Sequence, residues 1–238
     1  MAKKLATLPT HLAIICDGNR RWAKRHGWKV FRGHKYAIDA IFEPLADHAA
    51  KLGIGFITFW VFSTENWNRE KREVAFLMDL FRKVFDEKLP RLHEKNYRIK
   101  HIGNLAGLPK DIQKRIIDGV ELTRANTGLT LTFAMNYGGH DELRRTVQTI
   151  AQKVQEGRLE PGEITEQVIA DHLDTAGIPE PDCIVRTSGE QRLSGFMSWQ
   201  SHYAEFCFPA FDFPEFTPAK LDEVLADFAR RKRRFGAG

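Results

Sequence analysis

Cysteine is scarce, and its placement excludes more than its number does. Three cysteines in 238 residues, Cys16, Cys183 and Cys207, are odd in number, far apart and each set in an apolar run. They read as small buried hydrophobes of a reducing compartment and not as a disulfide framework. No run approaches the roughly 20 apolar residues of a membrane-spanning helix. The opening Met-Ala-Lys-Lys-Leu-Ala-Thr-Leu-Pro carries charge but no long apolar segment, so the expectation is no signal peptide and a cytoplasmic protein. The nine histidines are scattered, and no His/Cys spacing fits a zinc site. There is no P-loop, no nucleophile elbow and no G-x-G-x-x-G. Internal repeats, low-complexity tracts and Pro/Gly/Ser linkers are also missing, which leaves one domain.

What is present describes an ordinary globular chain, 42% hydrophobic and 28% charged, with a net charge of +5 and a pI near 9.1. That balance suits a diphosphate, a nucleic acid or an acidic membrane surface equally, so charge alone selects no partner. Leu12–Cys16, Gly55–Phe62, Leu129–Asn136, Arg98–Ile102 and Cys183–Arg186 read as strands, the first an unbroken apolar run of buried-strand length and the second apolar enough to be covered on both faces. Helical spacing recurs over Lys35–Lys51, where Pro44 implies a kink or break, and over Glu73–Asn96, interrupted by Pro90. Pro109–Asn126, Asp141–Glu156, Thr165–Thr175 and Pro218–Arg233 complete the helices. Asn136-Tyr-Gly-Gly139 reads as a tight turn. Strands alternating with helices call for an α/β fold with a parallel sheet and right-handed crossovers.

One stretch organises the rest: Leu12–Cys16, then Asp17-Gly18-Asn19-Arg20-Arg21-Trp22-Ala-Lys-Arg25. A carboxylate and a glycine follow a buried strand and precede a basic helix, at the sheet edge where open α/β folds bind ligands. A lone Asp does not bind phosphate, but it holds a divalent cation that does, and Arg20, Arg21, Lys24 and Arg25 add positive charge. Asp-Gly after a strand is equally well explained as punctuation. Ser63-Thr-Glu-Asn66-Trp67-Asn-Arg69 crowds polar groups beyond the second strand, more than the helix cap that Ser63 or Thr64 would provide. Arg186-Thr-Ser-Gly-Glu-Gln-Arg192-Leu-Ser194 offers two guanidinium forks in a glycine-containing loop, suited to a diphosphate, or else a solvated loop. Glu205 sits alone in the apolar run Trp199–Phe208, where a charge needs an arginine partner or a metal.

In order, Asp17-Gly-Asn-Arg-Arg-Trp22, Gly33-His34, Phe62-Ser-Thr-Glu-Asn-Trp67 with Arg69, Asn136-Tyr-Gly-Gly139, Arg186-Thr-Ser-Gly-Glu, Arg192-Leu-Ser194 and Glu205 resemble the cis-prenyltransferases, bacterial undecaprenyl diphosphate synthases in particular. The likeness runs from His11 to Gly236. It implies residues 1–10 as an N-terminal tail and 11–238 as one α/β domain. The expected fold is a six-stranded, mostly parallel sheet flanked by about seven helices, with a hydrophobic tunnel between sheet and helices. The activity implied is repeated addition of isopentenyl diphosphate to an allylic diphosphate such as farnesyl diphosphate. The product would be a cis-polyprenyl diphosphate such as undecaprenyl diphosphate; the alternative is a short- or medium-chain product.

By the same resemblance Asp17 holds Mg²⁺, with Glu205 helping across a homodimer interface. Gly18, Asn19, Arg21 and His34 surround the allylic diphosphate, and Arg20 also binds substrate. Trp22 with Phe62 and Trp67 gives the allylic cation aromatic surroundings, and Arg186, Arg192 and Ser194 hold isopentenyl diphosphate. Ser63, Asn66, Trp67 and Arg69 line the reacting centre, with Asn66 and Asp17 in the chemistry. Arg234-Phe-Gly236 matches the family's C-terminal Arg-x-Gly. Val30 and Gln191 depart from the commoner pattern, which carries an arginine and a histidine there, and bulk at Val61 implies a shortened product. Transient contact with a membrane surface is compatible with the resemblance. A nucleic-acid partner is not expected, because the aromatics lie in apolar strands and not on an exposed basic sheet face.

Overall fold

The computed structural model describes residues 8–233; the Arg234–Gly236 motif lies outside them. Six strands form one sheet: β1 (His11–Ile15), β2 (Phe56–Ser63), β3 (Arg98–Ile102), β4 (Thr130–Tyr137), β5 (Cys183–Arg186) and β6 (Glu205–Cys207). Their order is β3-β4-β2-β1-β5-β6, and all five pairings are parallel. The order turns about β1. The chain lays β2 on one side of it and, much later, β5 and β6 on the other, so β1 ends at a crevice of the kind that receives ligands in open α/β sheets. β1 is buried at every position, as an apolar run between two parallel neighbours must be.

Eight α-helices cover the two faces among the described residues: α1 (Asn19–Arg25), α2 (Val30–Ala40), α3 (Phe42–Leu52), α4 (Lys71–Glu94), α5 (Lys110–Leu122), α6 (Gly139–Gln155), α7 (Glu166–His172) and α8 (Pro218–Arg230). Alternate residues of β1 separate two cores. Leu12 and Ile14 share a cluster with Ala37 of α2, Ile41, Leu45 of α3 and Leu225 of α8, whereas Ala13 and Ile15 share one with Phe196, Met197 and Tyr137. A third cluster joins Phe62 to Leu77 and Phe81 of α4 and Ile112 of α5. None of these helices is long and apolar enough to cross a membrane.

The helix expected over Lys35–Lys51 is two helices, divided at Ile41. Pro44 falls in the first turn of α3, where its missing N–H would have had no partner anyway. Pro90, by contrast, does not interrupt its helix: α4 continues through it to Glu94. The lost hydrogen bond is outweighed by Leu89 and Leu92, which pack against the core on either side of it. α5 stops at Leu122, short of Asn126, because Thr123 turns its hydroxyl back to the Gly119 carbonyl and receives the Ile99 N–H. The expected turn at Asn136–Gly139 is tighter still. β4 runs on through Asn136, whose φ is 53°, and α6 starts at Gly139.

Candidate active site

β1 delivers Asp17 to the carboxyl edge of the sheet. Its carboxylate accepts from the Gly18 N–H at 2.7 Å, from Arg186 Nη2 at 2.8 Å and Nε at 3.2 Å, and from Arg21 Nη2 at 3.4 Å. Arg186, at the end of β5, is buried and makes further bonds through Nη1 to the Arg192 carbonyl at 2.6 Å and the Ser194 hydroxyl at 2.8 Å. β1 and β5 are adjacent, with Ile15 opposite Arg186, so two segments 169 residues apart meet through one register. Gly18 is required here. Its φ is 99°, and a Cβ on it would stand 2.1 Å from Asp212 Oδ1.

Gly33 performs a second close approach. A Cβ there would lie 2.1 Å from the Asn19 carbonyl, so its absence lets α2 rest on α1 and brings His34 beside Asn19. His34 lines the site, and its Nε2 is buried with no partner. Burial, and then the positive charge of Arg69 and Arg20, hold its pKa down to about 4, so the ring is neutral at pH 7. Asn19 Oδ1 is likewise buried and unpartnered. Buried polar atoms left unpaired are uncommon and point to a missing ligand. α1 has only seven residues, so the positive potential of the site comes from its side chains and little from a helix dipole.

Two cavities meet at this point. One, about 310 Å³, is lined by Asp17, Gly18, Asn19, Arg20, Arg21, Lys24, His34 and Arg69. The other, about 400 Å³, shares Asp17, Asn19, His34 and Arg69, adds Ser63, Asn66, Arg186 and Ser194, and continues over Ile38, Phe42, Val61, Leu77 and Phe81. Ser63 and Asn66 are locked together as a capping box, with the Ser63 N–H donating to Asn66 Oδ1 at 3.2 Å. Ile38, Phe42, Val61 and Phe81 also border a third, apolar cavity of about 70 Å³ between β2, β4, α3 and α4. The polar site therefore opens directly onto hydrocarbon.

Sequence reasoning overlooked Glu73. It is 5% exposed and bridges Arg69 at 2.9 Å and Arg20 at 3.4 Å, joining the Ser63–Arg69 segment to α1. The available signal was its i,i+4 spacing from Arg69 at the start of a helix.

Four expected residues stand elsewhere. Trp22 is buried on the far side of α1, stacked on Tyr36 at 4.7 Å. Trp67 donates its indole N–H to Asn136 Oδ1 at 2.7 Å and packs edge-on to Phe62, outside the lining of the three cavities. The Arg192 guanidinium is turned to Glu190 in solvent, and only its carbonyl supports Arg186. Glu205 opens β6 at the amino edge, opposite Cys183, and pairs with Arg231 at 3.1 Å. Asp17 lies at the carboxyl edge, so one chain does not bring these two carboxylates together.

No group of three or more His, Cys, Asp or Glu side chains among the described residues could enclose a metal by itself. A single carboxylate beside a phosphate site still fits Mg²⁺, which takes one or two carboxylates and completes its shell with water and substrate phosphates. Asp17, with two accepting oxygens within the cavity, meets that requirement.

A cationic pocket that shares Ile38, Phe42, Val61 and Phe81 with an apolar cavity is an arrangement that suits an anionic head joined to a hydrocarbon tail. The comparisons agree. Residues 15–236 match the family described as "Putative undecaprenyl diphosphate synthase". An isoprenyl transferase of Streptococcus pyogenes serotype M6 is 45% identical, over 98% of this chain and 95% of that one. Lavandulyl diphosphate synthase from Lavandula x intermedia, solved with dimethylallyl diphosphate, superposes with a TM-score of 0.93 at 36% identity, covering 96% of this chain and 98% of that one. A structure described as "a probable undecaprenyl diphosphate synthase" from Campylobacter jejuni gives 0.79 at 29% identity, covering 97% and 99%. The chain belongs to the cis-prenyltransferase family, of the undecaprenyl diphosphate synthase type.

Proposed function

We propose that this enzyme uses Mg²⁺ to add isopentenyl diphosphate repeatedly to an allylic diphosphate, farnesyl diphosphate being the preferred starter, and so builds a cis-polyprenyl diphosphate such as undecaprenyl diphosphate. The observation that carries this is the junction at Ile38, Phe42, Val61 and Phe81, where the polar site runs into the apolar cavity. A product that lengthens while its head stays in place needs that continuity.

The allylic head sits among Gly18, Asn19, Arg20, Arg21, His34 and Arg69, where a neutral His34 protonated at Nε2 donates to a diphosphate oxygen. Arg186 and Ser194 take the second diphosphate. Mg²⁺ held by Asp17 supplies Lewis-acid stabilisation of the departing diphosphate. When the allylic C–O bond breaks, its electron pair leaves with the diphosphate, and Arg21, Arg69 and the neutral His34 meet the charge that develops. Phe62 and the neighbouring hydrocarbon wall keep water from the allylic cation. The isopentenyl double bond attacks that cation, and a diphosphate oxygen takes the proton from the adjacent carbon, whose C–H electron pair becomes the new double bond.

Glu205 serves this chemistry only across an interface between two copies, so the reading includes a homodimer. Release of a long apolar product suits transient contact with a membrane surface.

A shorter Z-prenyl product is the second reading, favoured by the small apolar cavity of about 70 Å³. Incubation with Mg²⁺, isopentenyl diphosphate and dimethylallyl, geranyl or farnesyl diphosphate, followed by product sizing, tests both. A ladder of long products supports the first reading and one or two additions the second. Absence of condensation with every starter refutes both.

A further inference from the structure

The turn that presents Ser194 is costly to hold. Ser194, Gly195 and Met197 have φ of 52°, 82° and 48°, so three of four consecutive residues lie in the left-handed region. Residues other than glycine seldom adopt it, and such a turn persists only where its surroundings over-determine it. The turn nonetheless serves the site directly. The Ser194 hydroxyl and the Arg192 carbonyl just before it accept from Arg186 Nη1 at 2.8 and 2.6 Å.

Three restraints fix it. The Gly139 N–H, at the start of α6, donates to the Gly195 carbonyl at 2.8 Å. Phe196 is fully buried, stacked on Trp60 at 5.0 Å and edge-on to Tyr137 at 6.0 Å. Gln200, just past the turn, donates its amide to the Thr175 hydroxyl at 2.9 Å and to Glu142 Oε2 at 3.1 Å. Two of these restraints pass through Glu142, in the first turn of α6. The same Oε2 accepts from the Tyr137 hydroxyl at 2.6 Å, which fixes the ring against Phe196, and Oε1 accepts from the Asp174 N–H at 3.0 Å. Glu142 is 1% exposed, and its carboxylate is tolerable in this interior because three donors meet it.

We infer that Glu142 is a positioning residue for isopentenyl diphosphate: through Tyr137 and Gln200 it holds the Ser194–Met197 turn in the shape that aims Ser194 and Arg186 at the second diphosphate. This rests on the reading that Arg186 and Ser194 take that diphosphate. Glu142, Tyr137 and Gln200 line none of the three cavities, so they act on the substrate only through the turn. The allylic cradle depends on a different contact, that of α1 with α2 at Gly33. A disturbed turn therefore weakens one substrate and spares the other.

Glu142→Gln tests this, because it keeps the shape of the side chain but sets a donating NH₂ where an oxygen met N–H or O–H donors. KM for isopentenyl diphosphate at saturating starter should rise about tenfold or more, as expected for a displaced hydrogen bond to a charged group, whereas KM for the starter should stay within about twofold of the wild type. Tyr137→Phe removes one donor, leaves the carboxylate the other two, and should raise the same KM about threefold. It decides the matter if thermal melting shows Glu142→Gln to be unfolded. A wild-type KM for isopentenyl diphosphate in the folded variant, or equal rises in both KM values, overturns the positioning role. Arg186→Lys, measured alongside, separates that failure from failure of the underlying reading. A raised KM in Arg186→Lys with none in the Glu142 variant leaves the assignment of the second diphosphate intact, and no rise in either overturns that assignment as well.

Discussion

Adding one methyl group at Gly33 tests how the cradle is assembled. Gly33 lies in the second turn of α2 with ordinary helical geometry, so replacement by Ala should gain about 0.5–1 kcal/mol from helix propensity alone. The close contact works against this. The new Cβ would fall 2.1 Å from the Asn19 carbonyl oxygen and 3.2 Å from the Ala23 Cβ, a backbone atom and a methyl fixed to the backbone of a buried helix, neither of which can rotate aside. Overpacking of this kind costs about 1–3 kcal/mol, more than the propensity gain at most of that range. The net cost, about 2.5 kcal/mol at most, should lower Tm by up to about 10 °C for a chain of this size. Relief requires α2 to move off α1, which carries His34 away from Asn19. One charge-assisted hydrogen bond to the ligand is then lost, so pyrophosphate should bind about tenfold or more weakly by calorimetry. An unchanged or raised Tm with wild-type affinity would refute the idea that the α1–α2 contact builds the cradle.

Arg186→Lys keeps one positive charge but loses the fork that reaches Asp17, Ser194 and the Arg192 carbonyl together; KM for isopentenyl diphosphate should rise about 10-fold or more, measured by steady-state kinetics at saturating starter. His11 lies at the other end of β1, its ring bonded to the Pro179 carbonyl at 2.6 Å and the Thr58 hydroxyl at 2.8 Å, and burial holds its pKa down to about 4. The unfolded chain therefore binds the proton first, so its contribution is complete above pH 6.5 and about 3 kcal/mol is lost as pH falls from there through 4. Denaturant unfolding of the wild type and His11→Asn across that range should show the extra slope only in the wild type; parallel curves would contradict it.

The sequence disclosed unequal parts of this molecule, for identifiable reasons. β1, β2 and β4 are covered on both faces, so their apolar runs mark them without help from neighbours. β6 is three residues, Glu-Phe-Cys, too short for any period, and is a strand only because β5 lies beside it. Pro44 correctly signals a division near α3, whereas Pro90 misleads because tertiary packing carries the helix across it. In the site, Asp17, His34, Asn66, Arg69, Arg186 and Ser194 converge as their motifs imply, each at or just past a strand end or on α2 beside Gly33. Trp22 and Trp67 belong to the same motifs, yet they face away. Their orientation depends on partners, Tyr36 and Asn136, that adjacency in the chain does not reveal. Glu73 was missed because a buried carboxylate joining two arginines leaves no mark beyond a helical spacing shared by many surface pairs.

Asp17 is the side chain proposed to hold Mg²⁺ against the diphosphates. Turnover of farnesyl and isopentenyl diphosphates by Asp17→Ala, measured with Mg²⁺ alongside metal-free pyrophosphate binding by the same protein, tests this most directly. The expected result is a loss of turnover of about 100-fold or more with pyrophosphate still bound, since Arg21 and Arg186 remain and are freed from their carboxylate partner. Turnover close to that of the wild type in a folded Asp17→Ala enzyme would remove Asp17 from that role.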